Sequence, residues 1–145
     1  MKDPDLPFSA APEVRDRCLC LHLQRAARVV ARRFDDSLRP HGLTNGQFSV
    51  LMSLNRPEGP RIGELVPLLG MDRTTLTAAL KPLRRRGLVE AALDREDSRA
   101  RRLRLTKAGR DVLARALPAW RATQDAIDAE LGGADGVRET LARIG

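Results

Sequence analysis

The sequence predicts a mainly α-helical protein that carries one small β-hairpin. Three observations lead to this fold class. Apolar residues recur every three or four positions along most of the chain, which is the period of an amphipathic helix. Thr or Asp precedes several of these stretches and Gly follows them, as at helix ends. Two short stretches on either side of a charged loop have the composition of strands, which indicates a hairpin.

Length and composition indicate one folded domain. The chain has 145 residues, of which 42% are apolar and 31% charged. This is large enough for a core of its own. Two Cys residues argue against a disulfide scaffold, and the lack of any run of 18 apolar residues argues against a membrane span. No secretory signal is visible, so we expect a cytoplasmic protein without a membrane partner.

The first part of the chain is predicted to be a leader followed by a long helix. Residues 1–12 contain three prolines and are expected to be mobile, and the domain then covers residues 13–145. Apolar positions at helical spacing predict a helix from about Glu13 to Leu38. Its apolar surface is wide enough to need two partners, such as the body of its own domain and another subunit.

The remaining elements follow from cap residues and periodicity. Thr44 and Gln47 have the spacing of a capping box at a helix start. Two short helices, at about 62–69 and 73–86, then meet at a turn that contains Gly70. The further predicted elements are strands at 88–93 and 102–105, a helix at 107–131 and a short last helix. Two short helices followed by a basic hairpin form a winged helix-turn-helix.

Positive charge is concentrated in one part of the chain. The 26 Lys and Arg residues exceed the 19 Asp and Glu residues, which gives a net charge of +7. Residues 72–110 hold twelve basic and five acidic side chains, so this stretch accounts for the whole excess. Such a stretch predicts a polyanionic partner, most simply nucleic acid; a solvated charged face is the alternative. With no Tyr, three Phe and one Trp, the chain lacks the stacking aromatics of single-strand binders, which favours duplex DNA.

The helix predicted after Asp72 has an apolar and a polar face. A rotation of about 100° per residue places Leu76, Leu80 and Leu83 on the inner face. Short hydroxylic side chains near the helix start let its backbone approach base edges in a major groove. An ordinary solvent-exposed face is the alternative. The candidate DNA-contacting residues of this helix are Arg73, Thr74, Thr75, Thr77, Ala78, Lys81 and Arg85.

The loop of the predicted hairpin is rich in arginine. An arginine at a hairpin tip can enter a narrow minor groove, and a neighbouring carboxylate can orient its guanidinium. A soluble loop held by its own ion pairs is the alternative. The candidate DNA-contacting residues of this loop are Arg95, Asp97, Arg99 and Arg101.

Four short segments occur in the order and at the spacing of a known family. They are Gly70-Met71-Asp72-Arg73-Thr74-Thr75-Leu76-Thr77, Leu83-Arg84-Arg85-Arg86-Gly87-Leu88-Val89, Asp94-Arg95-Glu96-Asp97-Ser98-Arg99 and Leu103-Arg104-Leu105-Thr106-Lys107-Ala108-Gly109. Through them, residues 43–113 resemble the MarR family of bacterial transcription regulators. The resemblance implies a winged-helix DNA-binding region at 43–106 and dimerisation helices at 13–39 and 107–145.

The resemblance also implies a mode of action. A homodimer would bind a pseudo-palindromic site, with one helix of each subunit in the major groove and one wing in the minor groove. By position, Arg99 would be the minor-groove arginine and Asp97 its support, while Thr74, Thr75 and Thr77 would face bases. The family usually represses transcription, and a small-molecule effector or thiol oxidation releases it from DNA.

Two cysteines lie near the start of the first predicted helix. Cys18 and Cys20 would point about 200° apart on one helix, so no disulfide between them is expected. By resemblance, Cys20 stands where the organic-hydroperoxide branch of the family has its peroxide-sensing cysteine. That branch activates its thiolate with tyrosines, which this chain lacks, and Phe34 stands where one would be expected. A small buried apolar residue is the alternative interpretation of Cys20.

The sequence contains no recognisable catalytic set. Since no Ser-His-Asp arrangement, phosphate loop, carboxylate pair or metal-ligand spacing stands out, we expect no enzyme activity, no cofactor and no metal. The predicted protein is a homodimeric winged-helix repressor that binds double-stranded DNA. The alternatives are a thiol-based peroxide sensor of the same fold that acts through Cys20, and a winged helix used only for protein–protein contact.

Overall fold

The computed structural model describes residues 4–145, and the first three residues of the predicted leader lie outside the described residues. The structure is mainly helical with one two-stranded antiparallel sheet, as predicted. A short 3-10 turn covers Arg39–His41. The helices and strands are α1 (Ala10–Arg17), α2 (Leu19–Leu38), α3 (Asn45–Ser53), α4 (Ile62–Leu69), α5 (Arg73–Arg85), β1 (Val89–Leu93), β2 (Arg101–Leu105), α6 (Lys107–Glu130) and α7 (Asp135–Ala142).

The chain divides into two compact units, one up to Arg33 and one from Phe34 to Gly145. Two helices replace the single helix predicted from residue 13 to residue 38. Helix α1 begins at Ala10, so the last three residues of the predicted leader are helical. Cys18 is extended, with a ψ of 102°, and its thiol accepts a hydrogen bond from the Leu21 backbone N–H at 3.4 Å. This contact satisfies one of the N–H groups that the start of α2 leaves unpaired, as an N-cap does.

The second unit has a core made mostly of leucine. Trp120 of α6 stacks on Phe34 of α2 and Phe48 of α3, with ring centroids 6.1 and 5.9 Å apart. The side chains with almost no exposed surface include Leu38, Leu51, Leu54, Leu65, Leu76 and Leu83. Because α3, α4 and α5 each contribute to this set, burial of apolar surface holds the three short helices together.

The starts of the short helices are held by polar side chains. The capping box predicted at Thr44 and Gln47 is present, with reciprocal 3.1 Å hydrogen bonds between side chain and backbone N–H. Asp35 also accepts hydrogen bonds from the Asn45 backbone N–H and side-chain amide, and these bonds lower the pKa of its carboxyl group. Helix α4 ends at Leu69, and the φ of +64° at Gly70 allows the tight turn into α5.

The hairpin pairs Val89 with Leu105 and Leu93 with Arg101. Strand β2 therefore begins one residue earlier than the sequence predicts. On its other side, Arg102 forms a single β-bridge with Arg61, the residue before α4. A Cβ at Gly59 would lie 1.8 Å from the Leu103 carbonyl oxygen, so the loop that precedes α4 can approach β2 only with glycine there. Of the helices in residues 4–145, none is long and apolar enough to cross a membrane.

Candidate nucleic-acid interface

Helix α5 turns one face into the core and the other to solvent. Leu76, Leu80 and Leu83 are buried, which confirms the predicted inner face. All seven residues that the sequence singled out on this helix are exposed: Arg73, Thr74, Thr75, Thr77, Ala78, Lys81 and Arg85. The division of faces is thus as predicted, and the DNA contacts of the outer face stay a prediction.

The first turn of α5 is capped by Asp72. One carboxylate oxygen accepts the Thr75 backbone N–H at 2.8 Å, and the other accepts the Thr75 hydroxyl at 2.9 Å. These bonds lower the pKa of Asp72. The Thr75 hydroxyl proton is therefore engaged within the protein, whereas the hydroxyl groups of Thr74 and Thr77 form no hydrogen bond within residues 4–145. Of the three threonines predicted to face bases, these two have hydroxyl protons available to a ligand.

Asp94 organises the loop of the wing, which we define as the hairpin of residues 89–105. It is the one buried charged residue in the described part of the chain. Its Oδ2 accepts hydrogen bonds from Arg61 Nε and pairs with Arg102 Nε, each at 2.8 Å. Its Oδ1 accepts the backbone N–H groups of Glu96 and Asp97 at 2.8 and 3.3 Å. The Glu96 N–H, followed by the Arg61 side chain, lowers the pKa of Asp94 to about 2 although burial acts in the opposite direction.

Asp97 supports Arg99 through its backbone. Asp97 Oδ1 accepts the Arg99 backbone N–H at 2.9 Å. The composition of the loop predicts that a carboxylate orients an arginine guanidinium. Instead, the guanidinium of Arg99 has no acidic partner within residues 4–145, and the side chain is exposed. The carboxylate shapes the loop because a backbone N–H two residues on is within reach of its short side chain.

A cationic groove of about 1030 Å³ separates α5 from the wing. Apolar residues form part of its lining, among them Ile62, Leu80 and Leu103. Its lining includes seven cationic side chains and no carboxylate; the cations are Arg61, Arg73, Lys81, Arg84, Arg85, Arg99 and Arg101. The fold thus brings cations from the residue before α4, from α5 and from the wing to one surface, which attracts a polyanion.

Two predicted wing residues differ in their placement. Arg95 is exposed but is not part of the lining of the cationic groove. Arg101 lines the groove, and its Nη1 donates to the carbonyl oxygens of Ser98 and Ala100 at 3.4 and 3.5 Å. Arg101 is therefore held close to the loop backbone, in contrast to Arg99.

The two cysteines lie in the first unit, whereas all groove residues belong to the second unit. Both are free thiols; Cys18 is partly exposed and Cys20 is exposed. Because the helix breaks at Cys18, the expected geometry of two residues on one continuous helix does not apply. The Cys20 thiol accepts a hydrogen bond from the Gln24 side-chain amide at 3.4 Å. Cys20 is thus exposed rather than buried in the single chain, and its role stays a prediction.

Sequence reasoning missed the network around Asp94. Arg61 lies 33 residues before Asp94, and no local pattern connects them. Arg102 was recognised only as part of the basic stretch, whereas its side chain is half-buried against Asp94 and the Gly59 carbonyl oxygen. The available signal was an Asp directly after a strand, since such a residue can cap the backbone of the following loop.

Comparisons with known proteins identify relatives of this chain. The MarR family model matches residues 41–100. The chain is 39% identical to the transcriptional regulator MosR of M. tuberculosis in a complex with DNA; the match covers 88% of this chain and 93% of MosR, with a TM-score of 0.80. It is 31% identical to the transcriptional repressor CouR of Rhodococcus jostii bound to a DNA duplex, covering 97% and 96% of the two chains, with a TM-score of 0.73.

Curated relatives are matched over part of their length. The regulator TtmR of Methylorubrum extorquens is 37% identical over 101 residues, which is 70% of this chain and 52% of TtmR. The chain spans about half of that protein's length. These relatives are transcription regulators rather than enzymes, in agreement with the prediction from sequence. The motifs, the winged helix-turn-helix and these relatives together show that the chain belongs to the MarR family of transcription regulators.

Proposed function

We propose that this protein is a sequence-specific transcription regulator that binds duplex DNA with α5 and the wing. The cationic groove carries the proposal, because seven cations and no carboxylate line the surface between these elements. The small side chains of Thr74 and Thr77 fit the major groove, and the unpaired guanidinium of Arg99 fits a narrow minor groove. The DNA complexes of MosR and CouR support this assignment.

The proposed active form is a homodimer on a pseudo-palindromic operator. Large apolar side chains are exposed in the chain on its own, including Leu19 and Val29 of α2 and Leu141 of α7. Burial of such side chains against a second copy would remove apolar surface from water, which is why a dimer is proposed. In a twofold dimer, equivalent α5 helices would read half-sites about one helical turn apart.

DNA binding is tested with duplexes from the region upstream of the protein's own gene. Fluorescence anisotropy at about 50 and 200 mM salt compares this DNA with a shuffled duplex. We expect tighter binding to the upstream DNA and a steep loss of affinity with salt. No difference between the two duplexes contradicts sequence-specific regulation, and no binding to either favours the alternative of a winged helix used for protein–protein contact.

The direction of regulation is proposed to be repression. A protein that covers a promoter excludes polymerase, and CouR is described as a repressor. A reporter driven by the upstream region, in cells with and without the gene, measures the direction. Higher expression without the gene supports repression, and lower expression contradicts it. A regulator of this kind works at the chromosome, so the bacterial cytoplasm is its proposed location.

Release from DNA is proposed to follow a small molecule or oxidation. The exposure of Cys20 favours testing the second route directly. A peroxide pulse is applied to the wild type and to Cys20→Ser before the anisotropy measurement. Loss of binding in the wild type alone identifies a peroxide sensor that acts through Cys20. Equal binding before and after the pulse contradicts that alternative and leaves a small-molecule effector.

A further inference from the structure

We infer that Asp94 is a positioning residue that holds the wing, and with it Arg99, in its DNA-binding geometry relative to α4. The inference rests on the proposed function, because it concerns how the same surface binds DNA. The contribution of Arg99 to DNA binding then depends on Asp94, a buried residue that is not part of the groove lining.

Asp94 connects the residue before α4 with strand β2 of the wing. Its Oδ2 lies 2.8 Å from Nε and from Nη2 of Arg61, the residue that precedes α4. The same oxygen lies 2.8 Å from Arg102 Nε in β2. The Asp94 side chain is 1% exposed, whereas those of Arg61 and Arg102 are 41% and 26% exposed. Two cations therefore compensate one buried carboxylate, as burial of a charge requires.

A chain of hydrogen bonds leads from Asp94 to Arg99. Asp94 Oδ1 accepts the Asp97 backbone N–H at 3.3 Å, and Asp97 Oδ1 accepts the Arg99 backbone N–H at 2.9 Å. The Ala100 N–H donates to the Asp97 carbonyl oxygen at 3.1 Å, and the Asp94 N–H donates to the Ala100 carbonyl oxygen at 3.2 Å. These bonds fix the backbone of the loop tip and leave the Arg99 guanidinium unpaired. An arginine presented by a fixed backbone loses less conformational entropy on binding.

The Asp94 carboxylate also keeps the Arg61 guanidinium from contacting DNA phosphates. Arg61 lines the cationic groove, and its guanidinium is bound to Asp94. Loss of the negative charge would free Arg61 for phosphates of any sequence. We therefore expect Asp94→Asn to lower the ratio of specific to non-specific binding more than it lowers total affinity.

A double-mutant cycle tests the coupling between Asp94 and Arg99. Anisotropy measures binding by the wild type, Asp94→Asn, Arg99→Ala and the double variant. Arg99→Ala is expected to weaken operator binding at least about fivefold in the wild type and less than about twofold in Asp94→Asn. The matched control is Glu90→Gln, which breaks the exposed 2.6 Å pair with Arg104 in the same hairpin. In that background, Arg99→Ala keeps its full effect.

The outcomes separate this inference from the proposed function. If Arg99→Ala has the same effect with and without Asp94, the positioning role is wrong while DNA binding stands. If Asp94→Asn fails to fold, Arg102→Gln takes the place of that variant in the cycle, because it removes one partner of the same carboxylate. Thr77→Ala tests whether the effect is confined to the wing. It should alter base preference equally in the wild type and in Asp94→Asn.

A measurement without DNA tests the network itself. Amide hydrogen exchange of Glu96 and Asp97 is expected to be slow in the wild type and at least about tenfold faster in Asp94→Ala, because their acceptor is removed. Unchanged exchange overturns the inference even if the protein binds no DNA. Accelerated exchange with no DNA binding by the wild type supports the network but contradicts the proposed function.

Discussion

The Arg99 side chain is exposed in the loop of the wing and forms no ion pair with the acidic residue nearest to it, Asp97. Its neighbouring carboxylate, Asp97, holds the backbone rather than the guanidinium. We expect Arg99→Ala to weaken operator binding by about 1–3 kcal/mol, because a minor-groove contact is lost. Titration of a labelled operator measures the change. Arg121→Ala removes an equal charge from the exposed surface of α6 and should leave the affinity nearly unchanged; a comparable loss there would make the effect one of net charge.

Thr77 and Lys81 lie one turn apart on α5 and should affect binding in different ways. Thr77→Ala is expected to relax base preference at one operator position, because a side chain that reaches base edges carries sequence information. Lys81→Ala should weaken binding to all duplexes and lower the salt slope by about 1, as loss of one phosphate contact does. Binding to a set of single-base operator variants at several salt concentrations measures both. The same pattern from both substitutions would contradict the assignment.

The Asp94 carboxylate should make stability depend on acid pH. The pKa of its carboxyl group falls from the ordinary value of 3.8 to about 2 in the folded protein. A depressed pKa gives stability that is complete above the unfolded-state value and is lost as pH falls from about 4 through about 2. Urea unfolding at pH 5, 4 and 3 compares the wild type with Asp94→Asn. The wild type should lose more stability over this range; parallel curves would show that Asp94 titrates alike in both states.

At the scale of elements, one junction locks the hairpin to α6. The Thr106 hydroxyl donates to the Gly87 carbonyl oxygen at 2.6 Å and accepts the Gly109 N–H at 3.1 Å. A Cβ on Gly109 would lie 2.2 Å from the Leu88 carbonyl oxygen. The Leu-Thr-x-x-Gly pattern of the sequence is thus a structural requirement for the close approach of Leu88, the residue before β1, to the first turn of α6.

Gly109→Ala is therefore expected to destabilise the protein. The backbone on both sides must separate to admit the methyl group, which typically costs about 1–3 kcal/mol for an overpacked site. Gly136→Ala in α7 is the matched control, since its Cβ meets nothing within 4 Å. Thermal unfolding should show a lower Tm for the first variant and an equal or higher Tm for the second. Equal Tm values for Gly109→Ala and the wild type would contradict the close packing.

At the scale of the whole molecule, the exposed apolar surface predicts association. Val137, Leu141 and Ile144 are 46%, 44% and 61% exposed near the end of the chain. Sedimentation equilibrium should give twice the chain mass of 16.0 kDa. Leu141→Glu is expected to shift the protein towards the single-chain mass, because a charge placed in an apolar interface must be desolvated. Ser49→Glu, at an exposed position of α3, should leave the mass unchanged. A single-chain mass for the wild type would contradict the dimer.

Much of the fold follows from local chemistry and was predictable. The helix starts at Thr44, Asp72 and Thr106 were predicted correctly because a cap bonds to a backbone group three residues away. The inner face of α5 was predicted because helical periodicity depends only on neighbouring turns. The concentration of basic residues likewise indicated a cationic surface, and the groove lining holds seven cations.

The sequence by itself thus determined the fold class, the order of elements, the family and the outer face of α5. The tertiary structure decided how those parts are joined. Asp94 meets Arg61 across 33 residues, and Gly59 meets Leu103 across a similar span, so neither contact leaves a local pattern. The break at Cys18, where the thiol accepts the Leu21 backbone N–H, is likewise absent from the helical periodicity of the sequence. Such contacts form only when the folded chain brings distant segments together, and local sequence patterns therefore do not predict them.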